Sequence, residues 1–220
     1  MVDFSLISAI IVKMTLKEKL IKQNKTKWLD IGCNRNFEAG FYYLDIFAKK
    51  DIDSKYKEQY FEMDILNIFP HELKRIGRFD FVRMQHVLEH FTYKEGLVVL
   101  KNVGKLIRGN GWLLVTVPDL RINIEKYTKN EYKYWESFKG WAIKMIPEDA
   151  PASFYFSVFA YSLPITPHKW CYDYKGLKYL FKKTGLFKGI KKLEYDSPLA
   201  NFPFTHNRPE EDLCIIARRI

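Results

Sequence analysis

The chain has 220 residues and a formal net charge of +10, a length that suits one domain with a full core. Hydrophobic residues make up 47% of it, which excludes a disordered polar chain. Cys33, Cys171 and Cys214 are too few and too scattered for a disulfide framework or a cysteine-based metal site, so a reducing, cytoplasmic setting is the plain reading.

In chain order, the first apolar run, "FSLISAIIV", stops at Lys13, short of the ~20 residues that span a bilayer. Asp3 stands in front of it in place of basic residues, and no small-residue cleavage site follows, so a signal peptide is not expected. Residues 1–24 read as a helical extension, with an apolar and a Lys-rich face over 4–24. Packing on the domain is the expected role, with peripheral membrane contact as the alternative. "KWLDIG", "GFYYLDI", "YFEMDI" (ending at Asp64) and "RFDFVRMQ" are four short strands. "TYKEGLVVLKNVGKLI" has helical spacing in Leu97, Leu100, Val103, Leu106 and Ile107, with Thr92 as N-cap and Glu95 completing a capping box. "RGNG" supplies a turn, and "WLLVTV" is a fifth strand stopped by Pro118. "DYKGLKYLFKKTG" is a helix between Asp173 and Gly185, and "FKGIKKLEY" and "DLCIIARRI" are the last two strands. Near-continuous apolar strands alternating with helices predict a mostly parallel α/β sheet covered on both faces.

Residues 121–167 break this alternation. They are too long for a plain connection and carry eleven large aromatics, from Tyr127 to Tyr161. The expectation is an insertion into a single domain spanning 1–220, acting as a substrate lid or a small helical subdomain. A helix is expected around 123–144. A looser piece follows around 147–167, where Pro147, Pro151, Pro164 and Pro167 punctuate the chain.

Open α/β sheets bind ligands outside the carboxyl ends of their strands. Here four strands end in polar residues: Asp30, Gly32 and Asn34; Asp45; Asp64; and Gln85 with His86. Asp45 suits a ribose diol, since one carboxylate accepts from two hydroxyls. Gly32 allows close approach, and Asn34 and Asn36 tolerate left-handed backbone. A dinucleotide site is excluded. G-x-G-x-x-G is absent, and Asp45 arrives well before the ~20-residue offset of that motif. A ligand without phosphates fits the short loop better.

The set "LDIGC", "GFYYLDI", "MDI", "FDFVRMQHVLEHF" and "GWLLVTVPD" resembles the class I S-adenosylmethionine-dependent methyltransferases. It is closest to a subgroup with a short first loop and an "HVLEH" helix start, often linked to cell-surface glycan synthesis. "HKWCYDYKGLKYLFKKTGLF" resembles that subgroup's downstream segment. The resemblance covers most of 27–120 and 168–219. It implies a Rossmann-like, seven-stranded, mostly parallel sheet with the last strand antiparallel, and S-adenosylmethionine as cofactor. By position it implies that Asp30 and Gly32 line the methionine end and that Asn34 replaces the family's second glycine. It further implies that Asp45 holds the ribose, that Met63, Asp64 and Ile65 flank the adenine, and that Gln85 and His86 lie beside the methionine.

Methyl transfer to a hydroxyl or amine requires the acceptor to lose a proton. His86 is the candidate base; Asp119 either orients the acceptor or caps the following helix, His168 is a further acceptor-side candidate, and Trp170 either lines the site or lies in the core. No metal is expected, since His86 and His90 find no third ligand at a suitable spacing and "HVLEH" is not H-E-x-x-H. No [N/D]-P-P-[Y/F] run follows strand four, and in families methylating amine or amide nitrogen that run orients the nitrogen. Its absence tilts the expected acceptor toward a hydroxyl or another small-molecule group, and the resemblance to a glycan-linked subgroup implies a sugar or sugar conjugate. The charge keeps an RNA methyltransferase as an alternative, although the lysines are spread along the chain. Asn34 in place of glycine keeps a non-catalytic relative of the same fold as another.

Overall fold

The computed structural model describes residues 27–38, 40–131, 167–193 and 211–220. The expected N-terminal helix and the aromatic segment beyond residue 131 lie outside the described residues. Within them, β1 (Trp28–Ile31), β2 (Phe41–Asp45), β3 (Tyr60–Glu62), β4 (Phe79–Gln85), β5 (Ile107–Pro118), β6 (Phe187–Leu193) and β7 (Asp212–Arg219) form one sheet. Its order is β3-β2-β1-β4-β5-β7-β6. The first five strands pair in parallel, and β7 runs antiparallel to both β5 and β6. This is the seven-stranded, mostly parallel Rossmann-like sheet that the strand pattern and the resemblance led one to expect.

The side-chain alternation of the strands sorts the interior into two layers. Leu29, Ile31, Leu44, Val82, Met84, Leu113, Val115, Leu213 and Ile215 face the larger core. Phe41, Tyr43, Phe81, Leu114 and Cys214 face a smaller, aromatic one, closed by Phe37 and Tyr56 from the connections. Among the described residues, three helices meet the larger core: α1 (Pro70–Ile76), α2 (Tyr93–Leu106) and α4 (Tyr174–Thr184). The fourth, α3 (Leu120–Thr128), follows β5.

Helix α2 forms where the sequence signals place it. Glu95 accepts from the Thr92 amide at 2.8 Å, and Thr92 caps the Glu95 amide in return. Val99, Leu100, Val103 and Leu106 are fully buried on one stripe, each worth roughly 1.5–3 kcal/mol. They meet Leu177, Leu180 and Phe181 of α4 in the larger core. In α4, Asp173 accepts from the Gly176 amide at 2.7 Å. Gly185 ends the helix at φ 68°, a left-handed conformation that glycine adopts without a Cβ penalty.

Three expectations are corrected. β3 ends at Glu62, because Asp64 turns the chain: its carboxylate accepts from the Leu66 amide at 2.8 Å and the Asn67 side chain at 2.7 Å. "RGNG" does not separate helix from strand. β5 starts at Ile107, and the sequence forms an excursion within it, since Phe79 pairs Ile107 but Phe81 pairs Trp112. The helix expected around 123–144 begins at Leu120, where Asp119 caps the Arg121 amide at 2.9 Å. It closes at Thr128, whose hydroxyl donates to the Glu125 carbonyl. No described helix is long and apolar enough to cross a membrane.

Asp173→Ala should lower stability by about 1 kcal/mol through loss of the α4 cap, while Asp173→Ser should retain most of it. Chemical denaturation midpoints of the two variants check this, and equal losses would contradict a capping role.

Candidate functional site

Strand order reverses between β1 and β4, so the crevice of this sheet opens at their carboxyl ends. The first loop crosses from β1 to β2 through residues 32–40, with no helix among those described. Gly32 sits at φ 74°, and a Cβ there would collide with the Val87 side chain. Its amide donates to the Leu44 carbonyl at 2.9 Å. Asn34 and Arg35 follow at φ 44° and 64°, so Asn34 adopts the left-handed backbone that a glycine would otherwise supply.

Asp45 organises this loop. It is buried at the end of β2, and its Oδ2 accepts from the Asn34 amide at 2.9 Å while Oδ1 accepts from the Ile46 amide at 2.7 Å. An ionised carboxylate has about four lone-pair sites. Two amides therefore fix its direction and leave acceptor capacity for a diol. The Asp45 carbonyl accepts from the Met63 amide at 2.8 Å, tying β2 to the segment after β3. Met63 and Ile65 are buried in the larger core, whereas Asp64 is exposed and engaged in its own turn.

Asp30 stands in a different environment from the one expected at the methionine end. It points into the smaller-core face and pairs with Arg83 Nη2 at 2.7 Å, both side chains about 5% exposed or less. Arg83 also meets Glu38 from the first loop and lies over the Phe41 ring, 4.4 Å from its centroid. Burial pushes the Asp30 carboxyl up to about 6, against the pull of Arg83. Burial also pulls the Arg83 guanidinium down, but the bond to Asp30 and the Glu38 charge outweigh it. Arg83 was missed in the sequence reading, although a charge inside a buried strand is itself a signal that an acid faces it.

Gln85 ends β4, buried, and His86 follows at φ 52°, a left-handed backbone rare for its type. The His86 amide donates to the Thr116 carbonyl at 3.1 Å. Its ring lies between two buried carboxylates: Nε2 is 3.1 Å from Asp212 Oδ2, and Nδ1 is 3.2 Å from Glu89 Oε1. Burial pulls the imidazolium down, but Asp212 and Glu89 together raise it to about 10. A ring held protonated at neutral pH is poorly suited to the proton-accepting role expected of it. Neither Glu89 nor Asp212 was singled out from the sequence. Glu89 reads as an ordinary helix-start acid, and Asp212 becomes a neighbour only through the antiparallel return of β7.

Of the acceptor-side candidates, Asp119 is buried and serves as the α3 cap. Burial raises its carboxyl, with the Arg121 amide acting the other way. His168 packs edge-on against His90, ring centroids 5.0 Å apart. Trp170 is not core: it is 44% exposed and lies 6.1 Å from Tyr93, which stacks on Tyr179. The Lys169 and Trp170 amides both donate to the Glu89 carbonyl, at 2.8 and 3.1 Å. This clamp holds residues 167–170 against the carboxyl end of β4.

Two outcomes follow. Arg83→Met should cost about 3–5 kcal/mol by stranding the Asp30 charge, and Arg83→Met with Asp30→Asn should recover much of it in urea denaturation; an equal loss in both would mean the pair carries no coupling. The His86 ring should not titrate near its ordinary 6.5 in histidine NMR. Because its folded value is raised to about 10, its contribution to stability is complete below about 6.5 and is lost as pH rises through about 10.

A family model described as "Methyltransferase domain" matches residues 6–187. No curated protein matches the chain. Among solved structures, the CurJ carbon methyltransferase is similar at 16% identity, covering 94% of this chain and 53% of that one, with a TM-score of 0.52. Magnesium protoporphyrin IX methyltransferase (ChlM) from Synechocystis PCC 6803 is similar at 11% identity, 94% and 81% coverage and a TM-score of 0.50. An O-methyltransferase family protein from Burkholderia thailandensis is similar at 13% identity, 88% and 51% coverage and a TM-score of 0.50. The chain thus spans about half the length of two of these three, and at such identities the likeness is one of fold. With the family model covering residues 6–187 and the sheet order in agreement, the chain belongs to the methyltransferase-domain family.

Proposed function

We propose that this chain is an S-adenosylmethionine-dependent methyltransferase acting on a hydroxyl of a small molecule, with a sugar or sugar conjugate as the preferred acceptor. The observation that carries the cofactor reading is Asp45: a buried carboxylate, aimed by two backbone amides, at the mouth of a short phosphate-free loop. Family membership supports the same reading, as do solved structures of this fold whose descriptions include bound S-adenosylhomocysteine.

The residues divide the work as follows. Asp45 accepts from the ribose hydroxyls. Gly32 lets the ligand approach the backbone, and left-handed Asn34 keeps the loop out of its way. The Met63–Ile65 segment borders the adenine, and Gln85 borders the methionine portion. Asp30 acts from below, by holding β1 to Arg83. The cofactor supplies an already activated methyl group, so the protein mainly positions the acceptor and shapes the field around it. In this reading the His86 imidazolium, fixed by Asp212 and Glu89, is a positioning and electrostatic element beside the crevice, in place of the base.

The acceptor reading rests on the aromatic group of half-buried Tyr93 with exposed Trp170 and Tyr179, beside the clamped segment 167–170. Sugar rings pack on aromatic faces while nearby polar groups take their hydroxyls. The related folds methylate carbon and oxygen by their own descriptions, so the fold does not select the acceptor atom.

Calorimetry with S-adenosylmethionine is the direct test. The native chain should bind. Asp45→Ala should lose at least tenfold in affinity, and Asp45→Asn should lose less, with thermal melts reporting the loop clamp separately. No heat and no thermal shift at millimolar cofactor would overturn the reading. Trp170→Ala should raise the acceptor KM while leaving cofactor affinity unchanged.

A further inference from the structure

We infer that Glu89, His90 and His168 form a binding site for one divalent transition-series cation. The chain offers no three such donors at local spacing. The fold creates the set by clamping residues 167–170 onto the Glu89 carbonyl, through the Lys169 and Trp170 amides at 2.8 and 3.1 Å. One donor atom from each of the three side chains then lies within 4.8 Å of the other two. A tetrahedral ion with bonds of ~2.1 Å holds its donors about 3.4 Å apart, so small side-chain rotations close the set.

Two further features point the same way. Glu89 is 2% exposed, and its Oε2 has no hydrogen-bond partner among the described residues. His86 Nδ1 pairs with Oε1 at 3.2 Å. That pair engages one oxygen of the buried carboxylate, and a cation on the His90–His168 side would complete the other. The second feature is the orientation of His90. Its Nδ1 lies 3.3 Å from the Pro167 carbonyl, which only accepts, so Nδ1 carries the proton and Nε2 keeps its lone pair. This is the outer-shell arrangement that sets the tautomer of a metal-binding histidine.

Two imidazoles with one carboxylate suit Zn²⁺, Mn²⁺, Fe²⁺ or Co²⁺ better than the all-oxygen environments of Mg²⁺ or Ca²⁺. Three protein donors also leave at least one position for water or an oxygen of a bound molecule. The other carboxylate–histidine group, His86 with Glu211 and Asp212, is less suited. Its ring faces a carboxylate at each nitrogen, so both nitrogens are already engaged.

Chelator-treated full-length chain should bind one Zn²⁺ in calorimetry, and Co²⁺ should give the visible absorption of a low-symmetry nitrogen–oxygen site. His90→Ala and His168→Ala should each weaken Zn²⁺ at least tenfold and remove the Co²⁺ spectrum, with circular dichroism reporting that the variants are folded. Absent Zn²⁺ binding, binding unchanged in both histidine variants, or Mg²⁺ bound as tightly as Zn²⁺ would each overturn the assignment. Because these readouts use neither cofactor nor acceptor, the metal site and the methyltransferase reading fail or stand separately.

Discussion

The ion pair between Asp30 and Arg83 is the constraint on which the crevice depends. The two residues are register partners on β1 and β4, the neighbouring strands between which chain order reverses. Arg83 reaches four parts of the fold at once: its own strand, Asp30 of β1, Glu38 of the first loop, and the ring of Phe41 at the start of β2. A guanidinium suits this position because its planar fork bonds along its edge while its face lies on an aromatic ring. Burying two charges is expensive, and the return here is geometric. The loop that meets the ligand is anchored from beneath at the point where the sheet opens.

Above that anchor, the site is built by carboxylates whose directions are set by the backbone or by each other. Asp45 is aimed by two amides and remains able to accept more. Glu89 and Asp212 hold the His86 ring between them, on a backbone conformation that a non-glycine residue adopts only when its surroundings demand it. Glu89 belongs to two arrangements at once: its carboxylate faces His86 and the His90–His168 pair, and its carbonyl anchors residues 167–170. The elements after β4 and before α4 are thereby coupled into one wall, with Trp170 and Tyr93 on its outer side.

Much of this was legible in the sequence because it is local. Strand runs ended where Gly32, Asp45 and Gln85 stand, and the α2 and α4 caps sit on Thr92, Asp173 and Gly185. Asn34 was readable as a glycine substitute, since its short polar side chain tolerates positive φ. Local reading failed where a side chain had two plausible uses. Asp64 and Asp119 both look like ligand-facing acids at strand ends. Each instead satisfies the backbone of the segment that follows, because a turn or a helix start offers free amides within two or three residues. "RGNG" looks like a loop, and only the pairing of its flanks, Ile107 and Trp112, with β4 places it within one strand.

The sequence by itself determined the elements, their caps, the parallel character of the sheet and the short first loop, because hydrophobic period and capping chemistry act over a few residues. The tertiary structure alone decided which charges meet. Asp30 with Arg83, separated by 53 residues, and His86 with Asp212, separated by 126, become partners through strand order and the antiparallel return of β7. His168 reaches His90 only because two amides seat its segment on the Glu89 carbonyl. Such pairings are set by the closure of the sheet and the burial of its faces, and at low dielectric they shift the charge equilibria of Asp30 and His86.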